Sequence, residues 1–166
     1  MITQLAVTVQ LCDKSKTVQM KTLYTAVATA TGGRNGHIKS DNGVLDLEIK
    51  MPKAMGGTSD EYTNPEQLFA AGYSACFDSA LNLIIEQSKA LTGETSVTEK
   101  VGIGQIVNGG FGLEVSLHVN IPGVSMEQAK KLVEKAHQVC PYSNATRGNI
   151  EVKLEVTNFN KNDVGY

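Results

Sequence analysis

The sequence predicts an α+β fold, and three features of the chain lead to this class. Two stretches have helical periodicity, one beginning near residue 65 and the other near residue 125. Other stretches alternate between apolar and polar side chains, as half-buried strands do. Glycine- and asparagine-rich turns separate the alternating stretches, which is typical of antiparallel strands joined by short loops. Strands and helices in this order belong to the α+β class.

Composition narrows the class of protein. A chain of 166 residues is expected to form one domain with a core of its own. With 41% hydrophobic residues, 19% charged residues and a net charge of -2, it carries no basic tract for nucleic acid. No basic residue precedes Lys14, and the uncharged apolar runs are too short to cross a membrane. We therefore expect a cytoplasmic protein without nucleic-acid or membrane partners, whose three cysteines serve redox chemistry rather than structural disulfides.

The first elements form an antiparallel meander. Residues 1–19, which include Cys12, are interpreted as an appended N-terminal arm, and residues 20–166 as the single domain. A strand is predicted over residues 24–31, and a glycine-flanked turn carrying Arg34 follows it. A second strand begins at Ile38, a hairpin turn lies at 41–43, and residues 44–51 alternate as a third strand.

A long helix is predicted from Pro65 to about Ala90. Asn64 can cap it, Pro65 suits its first position and Glu66 favours the positive end of the helix dipole. One face repeats every four residues with apolar or small side chains: Leu68, Gly72, Cys76, Ala80 and Ile84. Such a face packs closely against another helix, including one from a second subunit.

Two more strands, a second helix and a last strand complete the domain. The strands are predicted at 97–107 and 111–121, joined by a turn at 108–110. A capping box beginning at Ser125 opens a helix over residues 126–139, and Pro141 ends it just after Cys140. Residues 150–157 alternate as the last strand.

Two cysteines are the main candidates for chemistry. Cys76 lies about three turns into its helix, where the dipole cannot activate it and burial alone would raise the pKa of its thiol. A nucleophilic Cys76 therefore needs a cation from elsewhere, and Arg34 is the candidate. Cys140 stands at a helix end, where a thiol can move within disulfide distance of an oxidised Cys76. His137 lies three residues before Cys140, but no further ligands complete a metal site, and none is expected.

Three segments closely resemble the organic hydroperoxide resistance protein family, within the osmotically inducible protein C superfamily: TNPEQLFAAGYSACF at 63–77, ATGGR at 30–34 and VCPYSNATRGN at 139–149. The resemblance covers nearly all of the chain from Met20 onwards. It implies a thiol peroxidase that reduces organic hydroperoxides to alcohols, with Cys76 as the peroxidatic and Cys140 as the resolving cysteine. It also implies that Arg34 and Glu66 are the catalytic Arg and Glu.

The resemblance implies an assembly and a reductant as well. The fold it implies is an intertwined α+β homodimer, with antiparallel sheets wrapped around long central helices and two sites at the interface. It implies no bound cofactor. Electrons are expected from dihydrolipoyl groups, either on lipoylated proteins or as dihydrolipoamide.

Helix geometry adds an expectation about the site. Glu66 and Cys76 lie ten residues apart, which is roughly 15 Å along one helix. The Glu66 nearest a given Cys76 is therefore expected to belong to the partner subunit, and in each pair Glu66 is expected to hold the guanidinium of Arg34. An apolar pocket around Leu68 and two phenylalanines, Phe69 and Phe77, would favour bulky organic hydroperoxides over hydrogen peroxide.

Two alternatives to the enzyme stay open at this point. One is a non-catalytic redox sensor, whose Cys76–Cys140 disulfide changes how it binds a partner. The other is a lipid-binding or packing module, in which Cys76 is an inert buried thiol.

Overall fold

A computed structural model describes residues 20–160 of the chain. In that range the chain forms two three-stranded sheets, three α-helices and two short 3-10 helices. The elements in order are β1 (Ala28–Thr31), β2 (His37–Ser40), β3 (Asp46–Glu48), α1 (Pro65–Ser88), β4 (Ser96–Gln105), β5 (Phe111–Asn120), α2 (Met126–Val139), α3 (Pro141–Thr146) and β6 (Val152–Thr157). The α+β class is confirmed. The predicted arm and Cys12 lie outside the described residues.

The first sheet is an antiparallel meander in the order β1-β2-β3, and its strands are shorter than predicted. A 3-10 turn over Gly33–Asn35 connects β1 to β2. Gly32 adopts φ 74°, and a Cβ on Gly36 would overlap the carbonyl oxygen of Thr31, so this tight turn depends on its glycines. No side chain in these three strands is buried. Within one chain, the first sheet therefore has no core of its own.

Helix α1 begins at the predicted N-cap and ends at Ser88, just before the predicted end near Ala90. The Asn64 side chain accepts a hydrogen bond from the backbone N–H of Gln67 at 2.9 Å, and Lys89 closes the helix in the left-handed conformation. One face of the helix is buried within the chain. Its members are Tyr73, Phe77, Ala80, Leu81, Ile84 and Ile85.

The four-residue repeat predicted on α1 reaches the core of the chain only in part. Ala80 and Ile84 are buried in the core, whereas Leu68, Gly72 and Cys76 are partly buried. Four residues turn an α-helix by about 40° more than a full turn, so a strict four-residue repeat winds away from any fixed direction. Packing of this face against a helix of a second subunit stays a prediction.

The second sheet has the order β4-β5-β6 and is mixed. Strands β4 and β5 form an antiparallel hairpin, in which Val101 lies opposite Val115. Strand β6 runs parallel to β5, because α2 and α3 carry the chain back across the sheet before β6 begins. The sequence predicted antiparallel sheets, and this prediction is wrong for β6, which pairs with β5 in parallel. The inward side chains of β5 pack on α1 and α2 to form the core.

Helix α1 is long and apolar enough to cross a membrane by length and composition, with a mean hydropathy of 1.4 in its most apolar window. The uncharged apolar runs within this helix are shorter than a membrane span, because Asp78 interrupts them. Tyr73, Phe77 and Leu81 of this helix nevertheless lie fully buried in the protein core. Only 33% of the apolar window is buried within the chain. Helix α1 is therefore a core helix, of which one apolar side chain, Leu83, is 48% exposed within the chain.

Candidate active site

Arg34 and Glu66 form one half of the candidate site. The glycine turn after β1 presents Arg34, and the first turn of α1 presents Glu66. Arg34 Nη1 donates to Glu66 Oε2 at 2.9 Å, and Nη2 donates to Oε1 at 2.6 Å. This is the bidentate contact expected from the sequence, and such paired, charge-assisted bonds fix the plane of the guanidinium.

The pair stays ionised at neutral pH. Hydrogen bonding from Arg34 lowers the pKa of the Glu66 carboxyl, and the same contact raises the pKa of Arg34. The Glu66 side chain is 13% exposed, whereas that of Arg34 is 30% exposed. The carboxylate is therefore mostly enclosed, while part of the guanidinium remains available to another group.

A cavity of about 290 Å³ lies against this pair, and its walls are mostly apolar. Its lining consists of Arg34, Pro65, Glu66, Phe69, Ile103, Phe111, Gly112 and Leu113. The predicted pocket is therefore right for Phe69 and wrong for Phe77, which is fully buried in the core because it lies on the inner face of α1. Leu68 does not line this cavity either.

Cys76 and Cys140 form the other half. Their Sγ atoms lie 3.7 Å apart although 64 residues separate them, and both thiols are free. Cys140 is fully buried at the junction where α2 ends and α3 begins, whereas Cys76 is half-buried on α1. A disulfide requires an S–S distance of about 2.05 Å, so the two sulfurs must approach by less than 2 Å to bond.

The surroundings of Cys76 shift the pKa of its thiol in opposite directions. Burial raises the pKa of Cys76, as expected from its position in the helix, and the Cys140 thiol raises it further. A hydrogen bond from the backbone N–H of Tyr142 lowers it. That N–H belongs to α3, which the sequence analysis missed because Pro141 was interpreted only as the end of α2. Proline is also common at the first position of a helix, which was the available signal.

The structure brings the members of each pair together, and no hydrogen bond joins the two pairs within the described part of the chain. Among residues 20–160, Arg34 bonds Glu66 and makes no hydrogen bond to Cys76. Cys76 lies further along α1 than Glu66, and Cys140 lies at the start of α3. The expectation that Glu66 meets the Cys76 of a partner subunit stays a prediction.

Glu99 is a buried acid that the sequence analysis missed. It lies on β4, and neither of its carboxyl oxygens has a hydrogen-bond partner in the described part of the chain. Burial raises the pKa of Glu99 to about 8. Together with Glu66 it lines a second cavity, of about 450 Å³. The alternation of β4 was the available signal, because it places Glu99 on the same side as Val97 and Val101.

The described residues hold no group of three or more His, Cys, Asp or Glu side chains that could bind a metal ion. His137 instead packs its ring 6.4 Å from that of Phe77. Its Nδ1 atom is buried without a hydrogen-bond partner in the same range, and burial lowers the pKa of its imidazole.

Comparison with known proteins identifies the family. Residues 57–155 match the model of the OsmC-like proteins. The chain is 55% identical over 135 residues to the organic hydroperoxide resistance protein of Xanthomonas axonopodis pv. citri, an alignment that covers 81% of this chain and 94% of that relative. The chain belongs to the organic hydroperoxide resistance family of OsmC-like proteins. The resemblance drawn from three sequence segments is thereby confirmed.

Solved structures of this family have the same fold. An organic hydroperoxide resistance protein from Elizabethkingia anophelis superposes with a TM-score of 0.82 and 75% identity, covering 84% of this chain and all of that one (100%). The protein OhrB of Bacillus subtilis superposes with a TM-score of 0.74 and 47% identity, covering 82% of this chain and 100% of that one. The OsmC-like match begins at Gly57, so it includes Glu66 and both thiols, while Arg34 precedes it.

Proposed function

We propose that this chain is a thiol peroxidase that reduces organic hydroperoxides to alcohols. The observation that carries the proposal is the approach of two free thiols, Cys76 and Cys140, to 3.7 Å. The chain is also similar to proteins named for resistance to organic hydroperoxides. A reducing cytoplasm, where we place the protein, would keep both thiols free until a peroxide arrives.

The reaction follows from the two thiols. The Cys76 thiolate attacks the terminal oxygen of the hydroperoxide, the O–O bond breaks, and the alkoxide takes up a proton to leave as the alcohol. Cys76 then carries a sulfenic acid. The Cys140 sulfur attacks it, water leaves, and a disulfide forms. An external dithiol reduces this disulfide by exchange, and we assign that role to dihydrolipoyl groups, on lipoylated proteins or as dihydrolipoamide.

Arg34, held by Glu66, supplies the positive charge that the helix around Cys76 lacks. A guanidinium beside the thiol favours the thiolate and stabilises the negative charge that develops as the O–O bond breaks. Glu66 orients the guanidinium through the bidentate contact. The Tyr142 backbone N–H acts in the same sense on the thiolate. The arginine is needed because burial raises the pKa of Cys76.

A second copy of the chain completes the site in this proposal. No side chain of the first sheet is buried, and only 33% of the apolar window of α1 is buried within the chain. Leu23 and Tyr24, which precede β1, are 92% and 79% exposed. We infer that a homodimer covers these surfaces and that each subunit presents its Arg34–Glu66 pair to the Cys76 of the other.

The cavity beside Arg34 favours apolar substrates. Phe69, Phe111 and Leu113 line a volume of about 290 Å³, which has room for an aryl or alkyl group. Hydrogen peroxide has no apolar group that could pack against those walls. We therefore expect higher kcat/KM for cumene hydroperoxide than for hydrogen peroxide.

Repeated turnover tests the proposal. The reduced protein is incubated with cumene hydroperoxide and dihydrolipoamide, and loss of peroxide is followed. We expect Cys76→Ser to abolish peroxide loss. We expect Cys140→Ser to consume one equivalent of peroxide and then to turn over slowly with this reductant. Unaltered peroxide loss in Cys76→Ser would contradict the proposal. Oxidation of wild type to the disulfide without repeated turnover would favour the redox sensor instead.

A further inference from the structure

Helix α3 is attached to α1 through one buried phenol. The Tyr73 side chain is completely buried, and its Oη lies 2.9 Å from Ser143 Oγ and 3.5 Å from Thr146 Oγ1. Ser143 and Thr146 are also buried, and both lie on α3. Burial raises the pKa of Tyr73, so its hydroxyl keeps its proton at neutral pH.

The segment held in this way carries two groups that act on Cys76. Cys140 precedes α3 directly, and the Tyr142 backbone N–H belongs to its first turn. Tyr73 lies three residues before Cys76, so one helix holds both the tether and the thiol. A closed path therefore runs from Cys76 through Tyr73 and Ser143 to Cys140, and back across the 3.7 Å gap between the sulfurs.

The rest of the Tyr73 ring is held independently of its hydroxyl. It stacks on the Tyr142 ring with 5.5 Å between centroids and meets Phe69 edge-on at 6.0 Å. Both contacts survive replacement of tyrosine by phenylalanine. The hydroxyl can therefore be removed while the packing of α3 stays in place.

We propose that the Tyr73 hydroxyl is a positioning group for the resolving step, and this inference rests on the proposed peroxidase function. Its hydrogen bond to Ser143 holds α3 so that Cys140 reaches an oxidised Cys76 before a second peroxide does. In the productive step the Cys140 thiol displaces water from the Cys76 sulfenic acid, and the disulfide forms. In the competing step a second hydroperoxide oxidises the sulfenic acid to sulfinic acid and leaves as its alcohol.

Tyr73→Phe and Ser143→Ala test the inference, because each removes one member of the same hydrogen bond. Sulfenic acid, disulfide and sulfinic acid at Cys76 are quantified by mass spectrometry after mixing with cumene hydroperoxide. We expect the initial oxidation of Cys76 to stay within about twofold of wild type. Disulfide formation should slow about fivefold, the effect of one lost hydrogen bond, and sulfinic acid should accumulate accordingly.

Two comparisons separate positioning from general stability. The double variant should slow disulfide formation no more than Tyr73→Phe alone, because Tyr73→Phe already removes the bond to Ser143 and the longer one to Thr146. Thr157→Val is the matched control, since it deletes a partly buried hydroxyl on β6 that donates to Asn120 Oδ1 on β5 at 2.9 Å. It should lower Tm, as the loss of a hydrogen bond between two elements does, and leave the ratio of disulfide to sulfinic acid unchanged.

Three outcomes would overturn the inference. The first is a wild-type rate of disulfide formation in both Tyr73→Phe and Ser143→Ala, and the second is an equal change in product ratio in Thr157→Val. Neither of these outcomes bears on the peroxidase proposal. The third is failure of the peroxide to oxidise Cys76 at all, whether to sulfenic acid, disulfide or sulfinic acid, which overturns the proposed function and this inference together.

Discussion

Two inactive variants are expected to restore activity to each other when they share a dimer. In one chain, Arg34 is paired with Glu66 at the start of α1, while Cys76 lies ten residues further along the helix. That separation is roughly 15 Å. If the partner supplies the arginine, Arg34→Ala and Cys76→Ser damage different halves of each site. A mixed dimer then contains one site in which both halves are intact.

The size of the effect follows from counting sites. Random pairing of equal amounts of the two variants makes about half of the dimers mixed, and each mixed dimer has two equivalent interface positions. One position combines the thiols of the Arg34→Ala chain with the arginine of the Cys76→Ser chain, and the other carries both defects. About one quarter of all sites is therefore active, and the mixture should recover about one quarter of wild-type turnover.

The assay measures cumene hydroperoxide loss with dihydrolipoamide, using mixed dimers isolated through two different affinity tags. One of the two sites is intact in each purified mixed dimer, so about half of wild-type turnover is expected from them. The matched control combines Cys76→Ser with Cys140→Ser. Both defects then lie in the thiol half, so neither chain of the mixed dimer has a complete cysteine pair and turnover should be no faster than in Cys140→Ser alone. Purified Arg34→Ala and Cys76→Ser mixed dimers with no more activity than this control would refute a site shared between subunits.

Two further predictions concern ionisable groups, and urea unfolding measures both. Burial raises the pKa of Glu99 from its usual 4.5 to about 8, so this carboxyl's contribution to stability is complete below pH 4.5 and is lost as the pH rises through 8. Glu99→Gln should therefore be more stable than wild type at pH 9, by about 2 kcal/mol after allowance for partial exposure. At pH 5 the two proteins should have similar free energies of unfolding. An equal difference at both pH values would contradict this prediction. Arg34 lowers the pKa of Glu66, so the pair's contribution is present above the unfolded pKa and is lost as the pH falls. Glu66→Gln should destabilise the protein at pH 7 and progressively less towards pH 3, and a pH-independent loss would speak against the ion pair.

The helices and the β4–β5 hairpin could be predicted because their signals are local. Asn64 and Ser125 cap α1 and α2 through side-chain contacts within three residues, and alternation marks β5. The first sheet was predicted too long, because its apolar residues find no core inside one chain. The parallel pairing of β6 depends on the crossover through α2 and α3, which no local pattern reveals.

The candidate site could be predicted only in part, for the same reason. Family resemblance pointed to the two cysteines, but their 3.7 Å contact joins residues 64 positions apart and required the fold. The Tyr142 N–H is a backbone group, so no side-chain motif could indicate it. Phe77 was placed in the pocket with Phe69, but it lies on the buried face of α1, and only the packing of the whole fold shows which apolar side chains line a cavity.

The central claim is that Cys76 attacks the peroxide and Cys140 resolves the product. Intact-mass spectrometry of the reduced protein, after one equivalent of cumene hydroperoxide, tests it most directly. We expect wild type to lose about 2 Da, with peptides containing Cys76 and Cys140 linked, and Cys140→Ser to gain about 16 Da at Cys76. Consumption of the peroxide with both thiols still free, or a disulfide that leaves Cys76 unmodified, would contradict the claim.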